Sequence, residues 1–254
     1  MIECKNVSAG YGETNILNNI TLKLIPGEVL AIIGPNGCGK STLLKVITGI
    51  IRNNKGDILF DGNSILDMSE KEIARKVSFL TQSRDTPNIL SEKLVLHGRF
   101  PWLNVPRHYS NKDIKIAEES MQKTGCYELR GHNLTNLSGG QRQKIYLAMN
   151  IAQNTSTILM DEPTTYLDIN NQLQTLKEAK KMAAEGKSVV VVIHDIPQAL
   201  IFADKIAVMD KGKIVAYGTS KQIIESNIIE DVFHIRLMQA DTTTGTRYFI
   251  EINE

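Results

Sequence analysis

At 254 residues the chain can form one large domain with a subdomain, whereas two full domains would be cramped. Its 42% hydrophobic and 22% charged residues are ordinary for a soluble globular protein, and a net charge of +1 gives no electrostatic reason to expect a surface that wraps nucleic acid. The three cysteines are far apart and never in C-x-x-C spacing, which argues against a disulfide or zinc framework, and no apolar run approaches the roughly 18 residues a membrane helix requires.

Met1 to Lys5 is no secretory leader, so if the protein serves a membrane another chain crosses it. Ile2 to Tyr11 reads as an edge strand that ends by exposing the Tyr11 ring between Gly10 and Gly12. Ile16 to Leu24 alternates apolar and polar residues, the pattern of a half-buried strand. Pro26-Gly27-Glu28 then turns the chain into the buried strand Val29 to Ile33.

The next stretch, Gly34-Pro35-Asn36-Gly37-Cys38-Gly39-Lys40-Ser41-Thr42, followed by Leu43 to Ile47, reads as strand, glycine loop and helix. It completes the pattern G-x-x-x-x-G-K-[ST]. The glycines let successive N–H groups point inward at phosphate oxygens, and the helix starting near Lys40 adds its positive end. Lys40 supplies a full charge for the β- and γ-phosphates, and the Ser41 hydroxyl can ligate Mg²⁺. Ahead of a nucleotide site, Tyr11 is either a packing residue or a stacking platform for adenine.

Gly49 closes that helix; Lys55 to Gly62 is a strand, Glu70 to Arg75 a short helix capped by Ser69, and Val77 to Leu80 a strand delivering Thr81-Gln82 to its end. Gln82 either hydrogen-bonds a loop or, at the ligand end of the sheet, contacts Mg²⁺ or water. From about 87 to 153 helical patterns take over, over Leu90 to Gly98, Asn111 to Thr124 and Gly139 to Ile151. They read as a helical subdomain inserted into an α/β core, with Trp102 as a packing residue. Ser138 is placed as an N-cap before Gly139-Gly140-Gln141, a second helix start open to an anion.

Thr157 to Met160 is a buried strand running into Asp161-Glu162, where the first carboxylate can meet Mg²⁺ through water and the second can hold an attacking water. The loop to Asp168 leads into a helix to about Glu185. Ser188 to Ile193 is the next core strand, ending at His194, which is either structural or within reach of a γ-phosphate. The other histidines are scattered and support no metal cluster. Ile206 to Met209 and Lys213 to Tyr217 make a hairpin, then come a helix over Ser220 to Glu225 and a terminal strand near Arg247 to Ile252.

This constellation resembles the ATP-binding subunit of ABC transporters over nearly the whole chain. The resemblance implies a P-loop NTPase α/β core with an antiparallel β subdomain, 1–86 and 154–235, a helical subdomain at 87–153, and an extension at 236–254. It makes Gly34 to Thr42 the Walker A loop and Ile158 to Glu162 the Walker B strand. Tyr11 would stack on adenine, Gln82 is the Q-loop residue, Ser138, Gly139, Gly140 and Gln141 the signature, Asp168 the D-loop and His194 the switch histidine. Leu137-Ser138-Gly139-Gly140-Gln141 is the most specific of these motifs. Cys38 in the loop and Pro197 after His194 are variations that leave the reacting groups intact.

Glu162-Pro163-Thr164-Thr165-Tyr166-Leu167-Asp168-Ile169, Gln141 to Lys144 and Gly98 to Pro101 look like the importers for iron–siderophore complexes, haem and cobalamin. The likeness implies ATP and Mg²⁺ as ligands and two copies facing head to tail around ATP. It also implies two membrane-spanning permease subunits, an extracytoplasmic substrate-binding protein, no nucleic acid, and a place on the cytoplasmic face of the membrane. Catalysis would rest on Glu162, His194, Gln82 and Lys40, with Ser41, Gln82 and Asp161 about the metal. A soluble ABC-type ATPase of iron–sulfur assembly or DNA repair is the rival reading. Against it, the chain has no sustained heptads for an inserted coiled coil. A non-hydrolysing regulatory module would not need both Glu162 and His194.

Overall fold

A computed structural model describes residues 1–12, 14–82, 86–165, 167–243 and 245–251. The elements run β1 (Ile2–Tyr11), β2 (Thr14–Leu24), β3 (Val29–Ile33), α1 (Lys40–Ile47), β4 (Asn53–Phe60), β5 (Asn63–Ser64), α2 (Glu70–Lys76) and β6 (Val77–Leu80). Then come α3 (Ser91–His97), α4 (Asn111–Lys123), α5 (Gly139–Ala152), β7 (Thr157–Asp161), α6 (Ile169–Ala184), β8 (Ser188–Val192) and α7 (Ile196–Phe202). The chain continues through β9 (Lys205–Asp210), β10 (Lys213–Gly218), α8 (Ser220–Glu225), α9 (Ile228–Phe233), β11 (Arg236–Thr242) and β12 (Gly245–Glu251).

The central sheet has the order β10-β9-β3-β8-β7-β6, parallel except for the β9–β10 hairpin. Every residue of β3, β7 and β8 is buried, as strands covered on both faces by apolar side chains must be. Alternation then divides each strand between two cores. Val29, Ala31 and Ile33 join Ile158, Met160, Val189 and Val191 beneath residues of α5, α6 and α7. Leu30 and Ile32 join Leu159, Val190 and Val192 beneath α1 and the antiparallel sheet.

That second sheet has the order β2-β1-β4-β5. β1 pairs with β2 on one side and β4 on the other, so it is an interior strand, and β2 holds the edge. Alternation in a sequence reports which face of a strand is buried; it carries no signal for how many neighbours flank it.

Helices α3, α4 and α5 pack on one another. Their starts are fixed locally. Ser69–Glu72, Ser110–Asp113, Ser138–Gln141 and Thr219–Gln222 each form a reciprocal capping box at the head of a helix. Asp195 caps α7, and Pro197 falls in its first turn, where no backbone donor is needed.

The carboxyl-terminal part holds α9 and β11 as well as the expected final strand, and β11–β12 forms a separate two-stranded sheet. Leu237 and Tyr248 pack from it onto the main core. The expected strand end at Ile252 and the loop residue Tyr166 lie outside the described residues. Among the described residues no helix is long and apolar enough to cross a membrane.

Candidate functional site

Four parallel strands finish at one edge of the central sheet, and each hands on a polar segment. β3 leads to Gly34, β7 to Glu162, β8 to His194 and β6 to Gln82. The register that brings them together is set by the pairs Ile32↔Val192, Asp161↔Val192 and Leu80↔Met160. They border a cleft of about 720 Å³, within the usual size for a small-molecule site.

Asn36, Gly37, Gly39, Lys40, Ser41 and Thr42 line it on one side, and Gln82, Glu162 and His194 on the other. The loop is held in shape by backbone bonds, with Cys38 N–H donating to Pro35 O at 3.3 Å within it and Gly212 N–H of the β9–β10 turn donating to Cys38 O at 3.0 Å. Gly39, at φ 106°, is the cap of α1, so the helix begins at Lys40. Lys40 is buried, and its Nζ donates to Gly34 O at 2.8 Å and Pro35 O at 3.0 Å. An ammonium held by neutral carbonyls keeps its charge available to a phosphate in the same loop.

Opposite, the Glu162 carboxylate is engaged at both oxygens. His194 Nε2 meets Oε1, Gln82 Nε2 donates to Oε2, and the Thr165 hydroxyl donates to Oε2 at 3.2 Å. Glu162 itself has φ 49°, a left-handed conformation uncommon outside glycine, and the Thr165 N–H closes the turn onto Glu162 O at 3.2 Å. Asp161 sits beneath. Burial pushes its carboxyl above the ordinary value, the Ser41 hydroxyl bonded to it works the other way, and the neighbouring Glu162 charge pushes it up again.

One oxygen of Asp161, Oδ1, is buried without a hydrogen-bond partner among the described residues. A buried carboxylate oxygen left unpaired beside a hydroxyl is the donor set a hard cation such as Mg²⁺ takes, so these residues fit that ion. Among the described residues there is no cluster of His, Cys, Asp and Glu of another metal type.

Other expected residues stand elsewhere. Gly34, Pro35 and Cys38 shape the loop without lining the cleft, and Tyr11, 51% exposed at the end of β1, does not line it either. The signature and Asp168 lie outside it as well. Ser138 caps α5, Gly140 faces Asn171 and Leu167, and Asp168 caps α6 through Asn171 N–H at 2.9 Å. Trp102 is tied to Gln153 O at 2.7 Å and sits between Arg75 and Arg99. Sequence reasoning missed Ile16 and Thr165 in the cleft wall. Thr165 follows the paired carboxylates by three residues, a spacing that could have flagged it as the closing residue of their turn.

Comparison with known proteins is consistent across sequence and structure. The family described as ABC transporter matches residues 17–165. The ferric enterobactin transport ATP-binding protein FepC of Escherichia coli (strain K12) is 37% identical over 93% of this chain and 88% of its own. The petrobactin import ATP-binding protein FpuD of Bacillus anthracis is 36% identical over 96% and 91%. Among solved structures, a transporter described as metal-chelate type, in an inward-facing conformation, superposes with a TM-score of 0.85 at 28% identity over 98% of this chain and 97% of that one. The dimeric cassette MJ0796 bound to ADP and phosphate superposes with a TM-score of 0.76 at 30% identity over 87% and 99%.

Proposed function

The chain belongs to the ABC transporter family, as an ATP-binding and ATP-hydrolysing subunit, and from that premise we propose that it powers import of an iron–siderophore type of cargo. The curated relatives named above carry ferric enterobactin and petrobactin in their names, and this supports the cargo class. We further propose that two copies work on two permease subunits at the cytoplasmic face of the membrane, with an extracytoplasmic binding protein delivering the cargo and no nucleic acid involved. The observation that carries the mechanism is the convergence of Lys40, Glu162, His194 and Gln82 on one cleft, with Ser138 to Gln141 outside it.

In this reading the loop N–H groups from Asn36 to Ser41 and the Lys40 ammonium bind the β- and γ-phosphates. Asp161 and Ser41, with Gln82, would hold Mg²⁺, which when bound supplies neutralising charge to the phosphate oxygens. Glu162 orients a water and accepts its proton as oxygen bonds to the γ-phosphorus, and the bond from that phosphorus to the bridging oxygen of ADP breaks. His194 steadies the γ-phosphate, and Tyr11 stacks on adenine at the rim. Gln82 and Thr165 share Glu162 Oε2, while among the described residues His194 alone meets Oε1, so Oε1 is the oxygen with a lone pair left for a water.

A signature outside its own cleft is suited to the cleft of a second copy, where Ser138, Gly139, Gly140 and Gln141 would meet the γ-phosphate and Asp168 the facing protomer. ATP then joins the copies, and hydrolysis parts them. Residues 87–153 would be the moving part that acts on the permease.

Glu162→Gln tests the chemistry. It is expected to bind Mg-ATP as the parent does, to lose at least about 100-fold in turnover as general-base loss implies, and to elute as a dimer with Mg-ATP. Parental turnover would remove Glu162 from this role. Right-side-out vesicles that hold the co-purifying permease, enclose Mg-ATP and are supplied with the binding protein are expected to accumulate ferric siderophore, and uptake of another cargo class instead would refute the assignment.

A further inference from the structure

The Gln143 amide, two residues past the signature on α5, reaches out of its helix. Its Nε2 donates to Pro163 O at 2.7 Å. Pro163 follows Glu162, and Thr165 closes the same turn through its N–H to Glu162 O and its hydroxyl to Glu162 Oε2, each at 3.2 Å. A carboxylate carried on a left-handed residue is aimed by the backbone of that turn, so a small rotation of the peptide at Pro163 swings it.

Helix α5 can transmit such a rotation because it is braced along its length. Toward its far end the buried Asn150 is bonded to Ser78 at 2.7 Å, and just past it Gln153 Nε2 donates to Ala74 O at 2.7 Å, both at β6 or its approach. Near its start Arg142 Nη1 donates to Thr86 Oγ1 at 2.8 Å, beyond the strand that delivers Gln82. At its first turn Gly140 lies so close to the start of α6 that a Cβ there would come within 3.1 Å of Asn171 Nδ2. Gln143 is five residues from Ser138, about 7.5 Å along the helix at 1.5 Å per residue.

We propose that Gln143 is a positioning residue for hydrolysis, coupling the phosphate seated at Ser138 and Gly139 of α5 to the aim of Glu162 in the same chain. The proposal rests on the two-copy reading above, since that phosphate belongs to the nucleotide held by the partner. Occupancy of the site a chain completes for its partner sets the catalytic carboxylate in the site it owns. No new chemistry is required; the hydrogen bond from Gln143 to Pro163 O carries the signal between two elements that each have a fixed anchor elsewhere.

The test uses Gln143→Met, which keeps length and volume and removes the donor, in the full chain. With Mg-ATP, kcat is expected to fall about five- to tenfold, the size of one net hydrogen bond, with KM within twofold of the parent and the thermal midpoint unchanged. Thr165→Val removes the hydroxyl bond to Glu162 Oε2 and keeps the backbone bond of the turn, and the double variant Gln143→Met/Thr165→Val is expected to lose less than the product of the single losses, because both act on one carboxylate. If Gln143→Met does not fold, Gln143→Glu, which turns a carboxylate toward Pro163 O, gives the same readings with a larger loss in kcat. A kcat within twofold of the parent, or losses that multiply, overturns the proposal. Dimer formation with Mg-ATP by Glu162→Gln reports on the two-copy reading separately: Glu162→Gln/Gln143→Met is expected to dimerise as Glu162→Gln does, and a dimer lost only in the double variant would make Gln143 an interface residue and overturn its positioning role.

Discussion

Gly34 and Gly37 share a loop and need glycine for different reasons. A Cβ on Gly34 would lie 2.3 Å from Met209 O and 2.7 Å from Cys38 Sγ, so the obstacle is space, and the Met209 carbonyl belongs to a strand that cannot give way. Gly37 has nothing within 4 Å of the same atom, and its constraint is φ 76° alone. Gly37→Ala is therefore expected to fold, at a cost of about 1 kcal/mol of backbone strain, and Gly34→Ala to cost clearly more and to lose ATP binding. Thermal melts with and without Mg-ATP check both. A milder effect at Gly34 than at Gly37 would refute the assignment of causes.

At the scale of elements, a buried ion pair ties the segment after α3 to α4 and to the end of α5 within the helical part. Arg99 Nε donates to Asp113 Oδ1 at 3.0 Å and its Nη1 to Ala152 O at 2.9 Å, with side-chain exposures of 7% and 12% for the pair. Burial works to raise the Asp113 carboxyl; the Ser110 hydroxyl and amide and the Arg99 guanidinium outweigh it and hold it below its ordinary 3.8. Because the folded value is the lower one, this stabilisation is complete above the ordinary value and is lost as pH falls through the folded value. Arg99→Met removes the counter-charge and leaves the buried carboxylate its Ser110 bonds alone, and it is expected to cost about 3 kcal/mol near neutrality, the low end for a broken buried pair. Acid unfolding of the variant should also begin at a higher pH than the parent's, read by circular dichroism; an unchanged acid limb would sink the account.

These elements were legible in the sequence where a local cause fixes them. The loop over Gly34 to Thr42, the capping serines 69 and 138, and the apolar strands ending in Asp161-Glu162 and His194 all announce themselves within a few residues. Arg99 does not, because its partner is fourteen positions away and its worth depends on burial. Nor does β11, whose Leu237-Met238-Gln239-Ala240 lacks the β-branched residues that mark strands. Thr165 and Gln143 are visible only once a turn and a helix have been brought side by side.

For the whole molecule, the governing fact is a sheet whose residues alternate between two cores, so that the cleft is built where both cores end. If ATP joins two such bodies, stability becomes coupled to concentration. The melting midpoint of Glu162→Gln is expected to rise with protein concentration in Mg-ATP and to be flat in its absence, as differential scanning fluorimetry across a 100-fold dilution series can read. A midpoint indifferent to concentration in both would speak for a monomer. Cys4, Cys38 and Cys126 are all buried, and burial raises each thiol, Cys4 to about 12. A maleimide dye therefore finds no ready native target at neutral pH. A single cysteine introduced at exposed Asn136 can be labelled in the otherwise natural chain, and a spin or fluorophore pair across two such chains would clock their opening and closing turn by turn.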